Sequence, residues 1–205
     1  MPRTRPSPAP EPAPRKRLDR EQVLATAEAI ADREGWQHLT MTLLAGELGV
    51  KVPSLYNHVP NLESLRGELQ VRTLKALGAE LQTAAMGKVG ERALHALAAV
   101  FRDFARRHPG CYELAMREPH DRHAFDVASA DAAGAMAAVV ASFGIDPADI
   151  MDLQLSAFAA VHGVVALENS GFFGEFGDVD RIFSTVLGLV LGLLEQHRPD
   201  EADTA

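Results

Sequence analysis

Between Leu39 and Leu69 the chain reads LTMTLLAGELGVKVPSLYNHVPNLESLRGEL, and no other stretch narrows the possible folds as much. Met41, Leu44, Ala45 and Leu48 recur at i, i+3, i+4 and i+7, the spacing of one helix face. Gly49 breaks that helix. Pro53, whose missing N–H is tolerated in a first turn, opens a second helix expected over 52–59. Two short helices joined by about three residues around a glycine form a helix-turn-helix, which lays its second helix in a DNA major groove.

The second helix has the composition for that task. Val52, Leu55 and Val59 share an inward side, while Lys51, Ser54, Asn57 and His58 point elsewhere with Tyr56 at the border. Tyr, Ser and His donate to phosphate oxygens, and Asn pairs bidentately with an adenine edge. Pro60 and Asn61 end the helix, and Asn61 is a good N-cap for the next, with Ser64 three residues on. A helix starting there offers free amides and a positive dipole end to a phosphate.

The run LTMTLLAGELGVKVPSLYNHVPNLESL closely resembles the DNA-binding region of the TetR/AcrR family of bacterial transcriptional regulators, over residues 20–72. The resemblance implies phosphate contacts from Thr42 and Tyr56 and a further backbone contact from His58. It also implies that Lys51, Val52, Ser54 and Asn57 face the groove, with Pro53 at the start of their helix. Much of the family has Lys after the Asn that opens the fourth helix; here that residue is Leu62, leaving the Leu62 and Glu63 amides to meet the phosphate.

A net charge of −8 seems wrong for a nucleic-acid binder until it is divided. Residues 1–20 carry Arg3, Arg5, Arg15, Lys16, Arg17 and Arg20 against Glu11 and Asp19, a net of +4 that leaves −12 for the rest. The basic end therefore supplies counterion release beside the helix-turn-helix. Residues 1–17 are Pro-rich and short of large apolar groups, so they are expected to form a flexible arm. The arm is either a solvated tail or a strand in which Arg15, Lys16 and Arg17 reach the DNA backbone or minor groove.

Ala and Leu dominate and β-branched alternation is nearly absent, so the fold expected is all-α. The reading divides the chain into the arm 1–17, a DNA-binding domain 18–65, a C-terminal domain 66–198 and a tail 199–205. Helices are expected over 61–86, 91–108, 111–116, 124–143, 149–170 and 181–196, the first as a mechanical link, with Asp146 and Pro147 restarting the chain as N-cap and N1. Trp36 is read as core. One cysteine, Cys111, forms no internal disulfide, and the first eighteen residues have no apolar leader core, so a cytoplasmic protein is expected. The most apolar run, 186–194, is far shorter than the roughly 20 residues that cross a bilayer, so no membrane partner is expected.

Helices 149–170 and 181–196 are apolar beyond a core stripe, and Gly188 and Gly192 allow close helix approach. They are expected to bury the excess in a two-fold homodimer, an arrangement the resemblance also implies, so that two reading heads meet a palindromic operator. The family usually keeps a small-molecule effector pocket among the C-terminal helices. The candidate lining here is Phe101, Phe104, Cys111, Tyr112, Met116, Met151, Phe158, His162 and Phe172, although helical spacing favours plain core over pocket for the aromatic and Met positions. The segment Ala160 to Gly174 resembles the HG…LE signature of the Trp-His-Gly type of TetR C-terminal domain, with Ala160-Val161 where the Trp would fall.

His162 is read as a hydrogen-bonded core histidine or an effector contact, since no second ligand stands at i+3 or i+4 to make it a metal site. Glu168 is expected to cap, pair or bond backbone near Gly171, and His108, His120 and His123 are read as solvated. No phosphate loop, nucleophile elbow, HExxH or carboxylate pair is present, so neither catalytic residue nor cofactor nor metal is assigned. The function expected is a ligand-responsive DNA-binding regulator, a repressor by preference. A constitutive DNA-binding dimer without effector, or an enzyme that carries a helix-turn-helix, stands as the alternative.

Overall fold

The computed structural model describes residues 18–175 and 177–199. The arm with Arg17 and the end of the tail lie outside the described residues. Nine α-helices and one 3-10 turn, Trp36–His38, are found among those described. They are α1 (Arg20–Glu34), α2 (Met41–Glu47), α3 (Val52–Leu55), α4 (Leu62–Ala85), α5 (Gly90–Arg107), α6 (Pro109–Ala115), α7 (Arg122–Ala141), α8 (Ile150–Asn169) and α9 (Val179–Gln196).

Local chemistry sets most of the boundaries. Asp19 caps α1 in a full capping box with Gln22, Thr40 caps α2 through Leu43 N, and Asn61 caps α4 through Ser64 N at 2.8 Å. Gly49 takes φ of 65°, a left-handed turn that an L side chain adopts only with strain. One helix end and three starts differ from expectation. The second reading-head helix closes at Leu55, because Pro60 disfavours helical backbone before it, although Val59 N still bonds Leu55 O at 3.0 Å. Pro109, expected to stop a helix, instead sits in the first turn of α6. Asp146 caps a turn through Ala148 N rather than α8, and Asp178 starts α9 two residues early.

Two large apolar cores result, with a small third cluster of Leu74, Ala115 and Ala128 beside them. Ile30, Leu39, Leu44, Leu55, Leu65 and Leu69 form the head. Leu77, Leu81, Leu97, Phe101, Val165 and Leu187 belong to the body. α4 serves both, with its early leucines in the head and its later ones in the body, as a mechanical link would. α6 serves both as well. Its Leu114 is buried in the head core and its Tyr112 in the body core, only two residues apart.

Ion pairs tie the layers together. Arg72 on α4 bonds Glu21 and Glu28 of α1 at 2.7–2.8 Å, and Arg20 pairs with Glu68. In the body, Arg102 and Arg106 of α5 grip Glu168 of α8, with Arg102 also 2.8 Å from Asp180 and over the Phe183 ring. Burial pushes the Glu168 carboxyl up, but these two arginines outweigh it and hold it below the usual range. Glu168 is thus a pairing residue. Trp36 is half-buried against the head core, sandwiched between the Arg66 and Arg117 guanidiniums at 5.2 and 5.6 Å from its ring.

The membrane expectation needs amendment at one point. α7 and α8 each run 20 residues with mean hydropathy of 1.4 and 1.6, long and apolar enough to cross a bilayer. The 186–194 run missed this because their apolarity is spread over whole helices rich in Ala and Val. Here their inner sides pack on the body core through Ala135, Val139, Leu153 and Val164.

Candidate nucleic-acid interface and effector cavity

Apart from Arg17, which lies outside the described residues, the head carries the sequence-predicted DNA set on α2, α3 with its following turn, and the start of α4. Lys51, Pro53, Tyr56 and Asn57 are exposed around α3 and its following turn, and Thr42 is exposed on α2. Val52, Ser54, His58 and Leu62 are half-buried beside them, while Leu55 and Val59 anchor the unit in the core. Tyr56 presents 53% of its surface to solvent, unusual for an aromatic ring unless it has a partner to meet. Leu62 opens α4 next to the Asn61 cap, so its amide and that of Glu63 remain free of the helix ladder. The His58 carbonyl accepts from Arg20 Nε at 3.4 Å, which ties the end of the reading helix to α1.

The nine candidate effector residues do not converge on one space. Phe101, Met116 and Phe158 line a cavity of about 360 Å³ between α4, α7 and α8, with Leu74, Leu77 and Leu81 on the α4 side. A smaller void of about 50 Å³ shares Leu81, Phe101, Met136 and Phe158 as walls. Tyr112 and His162, again with Met116, line a more polar cleft of about 550 Å³ beneath α1. Phe101 meets Tyr112 and Phe158 edge-on at 5.5 and 5.9 Å, so one aromatic cluster divides these spaces.

Four candidates are misplaced by the sequence reading. Cys111 is buried at the α1–α6 contact, its Sγ 3.7 Å from Glu28 O, and burial pushes its thiol far up, so it is an inert spacer rather than a pocket wall. Phe104 is buried under His108 and Arg107 instead. Met151 and Phe172 are 61% and 66% exposed, on the outer side of α8 and in the turn after it. Helical spacing identified an apolar stripe but not which neighbour would cover it.

The Tyr112 hydroxyl lies 2.5 Å from His162 Nδ1. Burial raises the tyrosine pKa and lowers that of the histidine, so the hydroxyl keeps its proton and donates to a neutral imidazole. His108, expected to be solvated, instead bonds Asp32 Oδ2 through Nδ1 at 3.0 Å. Asp32 Oδ1 also accepts from Cys111 N at 2.8 Å, so one carboxylate of α1 holds the start of α6. Among the described residues no group of His, Cys, Asp and Glu side chains could hold a metal ion.

Sequence reasoning missed Gln154. It is 7% exposed and lines the 360 Å³ cavity, one helical turn before Phe158 and two before His162. An amide inside an apolar helix, clear of its ends, was the available signal.

A helix-turn-helix with an exposed polar reading surface, joined by one long helix to an all-α body with an interior cavity, defines a DNA-binding regulator. Residues 94–190 match the family described as "Tetracyclin repressor-like, C-terminal domain". Over 192 residues the chain is 36% identical to the HTH-type transcriptional regulator Rv0681 of Mycobacterium tuberculosis, covering 92% of this chain and 87% of that protein. The fold is shared with Streptomyces coelicolor ActR solved with (S)-DNPA (18% identical, TM-score 0.66, 90% and 100% covered). BioQ solved with its double-stranded DNA operator is also similar (24% identical, TM-score 0.64, 88% and 100% covered). The chain belongs to the TetR family of helix-turn-helix transcriptional regulators.

Proposed function

We propose that the chain is a dimeric repressor that binds a palindromic operator and leaves it when a small molecule fills the body cavity. The observation that carries this reading is the double membership of α6. Tyr112 and Met116 at one side of it face the cavities, while Gly110, Cys111 and Leu114 lie against α1 and the head core. A β-carbon on Gly110 would fall 1.7 Å from Ala31 O, so the two backbones touch. Any occupant that displaces α6 therefore moves the head. Arg117 adds a second route, since it borders the 360 Å³ cavity, is gripped by Glu113 and stacks on Trp36.

On DNA, Tyr56 and Thr42 donate to phosphates and His58 adds a backbone contact. The Leu62 amide acts at a helix start, and Lys51, Val52, Ser54 and Asn57 enter the groove from the helix that Pro53 opens. Dimerisation through α8 and α9 is supported by the exposed Met151, Leu155, Leu167 and Leu189, a larger apolar display than scattered surface residues require. Added β-carbons on Gly188 and Gly192 would meet nothing within 4 Å, leaving room for a second copy to approach closely.

The test is binding to DNA upstream of the protein's own gene, over a salt series, with and without a small-molecule library. Salt-sensitive, site-specific binding that a compound releases is the expected result. Binding indifferent to every compound favours the constitutive dimer, and absence of specific binding overturns the reading.

A further inference from the structure

Four polar or charged residues are buried among those described: Gln70, Thr73, Arg102 and Gln154. Three have a visible structural duty. Gln70 Nε2 donates to Leu114 O at 3.0 Å and to Glu118 O at 3.4 Å, and its Oε1 accepts from His120 N at 3.3 Å. The Thr73 hydroxyl donates to Leu69 O, and Arg102 is paired with Glu168 and Asp180. Gln154 is the exception. It is as buried as the others, yet its amide makes no hydrogen bond to any described residue, and it lines the 360 Å³ cavity.

The Gln154 amide is not sealed off as Trp36 Nε1, Arg66 Nε and Glu68 Oε2 are, so with no protein partner it stays open to whatever fills the cavity, and a free amide set in an otherwise apolar wall points to a ligand. We infer that the cavity takes an uncharged, mostly apolar small molecule bearing one amide, carbonyl or hydroxyl group, which the Gln154 side chain recognises. The inference rests on the effector reading of this cavity and assigns the chemistry of what fills it.

The rest of the wall explains why the molecule is neutral. Leu74, Leu77, Leu81, Phe101 and Phe158 are apolar, and the one ionised side chain at the cavity, Arg117, is already engaged by Glu113 and stacked on Trp36. A carboxylate or ammonium brought inside would lose hydration against these apolar side chains, and the Arg117 charge at the rim is already offset by Glu113. An amide side chain, by contrast, both donates and accepts, so it can pair with a carbonyl, a hydroxyl or another amide. The volume lies near the lower end of the roughly 300–1,000 Å³ typical of small-molecule sites.

The experiment uses the full-length protein and the neutral fluorescent dye N-phenyl-1-naphthylamine, displaced by octanamide, octanoate or octylammonium at neutral pH. Octanamide is expected to displace the dye at concentrations at least about tenfold below either ion. Gln154→Leu is expected to weaken octanamide by about three- to tenfold, the scale of one neutral hydrogen bond. With dye affinity measured afresh for the variant, the melting temperature should be equal or raised, because no hydrogen bond within the protein is lost. A lowered melting temperature would mark Gln154 as a structural amide and overturn the inference. So would equal binding of the ions, or octanamide affinity unchanged in Gln154→Leu. Should the dye not bind saturably, the cavity takes no such molecule and the inference falls. Amide-selective binding that depends on Gln154 but releases no DNA would instead sustain the ligand class and sink the effector reading.

Discussion

Gly110→Ala tests the junction between head and body directly. The added β-carbon would lie 1.7 Å from Ala31 O, 2.4 Å from Ala31 C and 3.0 Å from Asp32 N, all backbone atoms that cannot rotate away. Non-bonded β-carbons essentially never approach closer than 3.0 Å, so moving from 1.7 Å to that floor requires α6 and α1 to part by at least about 1.3 Å. Such a shift stretches the 2.8 Å bond from Cys111 N to Asp32 Oδ1 and the 3.0 Å bond between His108 and the same carboxylate beyond hydrogen-bonding reach. Overpacking of this kind destabilises by about 1–3 kcal/mol, only partly offset by the gain of up to about 1 kcal/mol from replacing Gly with Ala in a helix. The control is Gly134→Ala on α7, where an added β-carbon meets nothing within 4 Å. The melting temperature should fall by several degrees in Gly110→Ala and hold or rise slightly in Gly134→Ala. Operator affinity measured by fluorescence anisotropy, with and without a releasing compound, should show a ligand response that shrinks in Gly110→Ala. Wild-type melting together with a wild-type ligand response would refute the claim that α6 couples the cavity to the head.

Three further outcomes are expected. Tyr56→Phe should weaken binding to every DNA sequence alike, whereas Asn57→Ala should relax preference at one base pair by about 1–3 kcal/mol in a competition assay; equal weakening of all sequences by both would remove Asn57 from base readout. Leu189→Glu should weaken dimerisation by at least about 100-fold in sedimentation, because each interface would bury two unpaired carboxylates, and an unchanged dimer would displace the interface from α9. Burial holds the His162 pKa below its ordinary value, so the unfolded chain takes up the proton first as pH falls; the stability this group supplies is present at neutral pH and declines below about 6.5. Melting measured between about pH 7.5 and 5.5 should therefore fall less steeply in His162→Gln than in the wild type, and parallel profiles would count against that assignment.

The reading head was legible because its signals are local. Glycine at 49, proline at 53 and the cap at Asn61 act within four residues of themselves, and spacing alone assigned Leu44, Leu55 and Val59 to the core. The body was legible only as a set of apolar helices. Whether an apolar residue on α8 meets a cavity, the core or solvent depends on helices that arrive from elsewhere in the chain. Thus Phe158 faces the cavity and Met151, two turns earlier, faces outward, although both were candidates for the same lining. Cys111 failed for the same reason, since α1 is nearly eighty residues away in sequence but covers it directly.

α6 was the hardest element to foresee and explains why coupling is easier to build than to read. Seven residues are too few to show a period, and the His-Pro-Gly before Cys111 reads as a chain break. In the structure that break is the working part. Pro109 needs no amide partner, Gly110 lets backbone touch backbone, and Asp32 supplies the bonds that the helix start lacks. A short helix inserted between two cores stores little stability of its own, so its position follows whichever core changes. With Tyr112 bound to His162 on the body side and Leu114 set in the head, a shift of α6 at the cavity wall has direct contacts through which to reach α1.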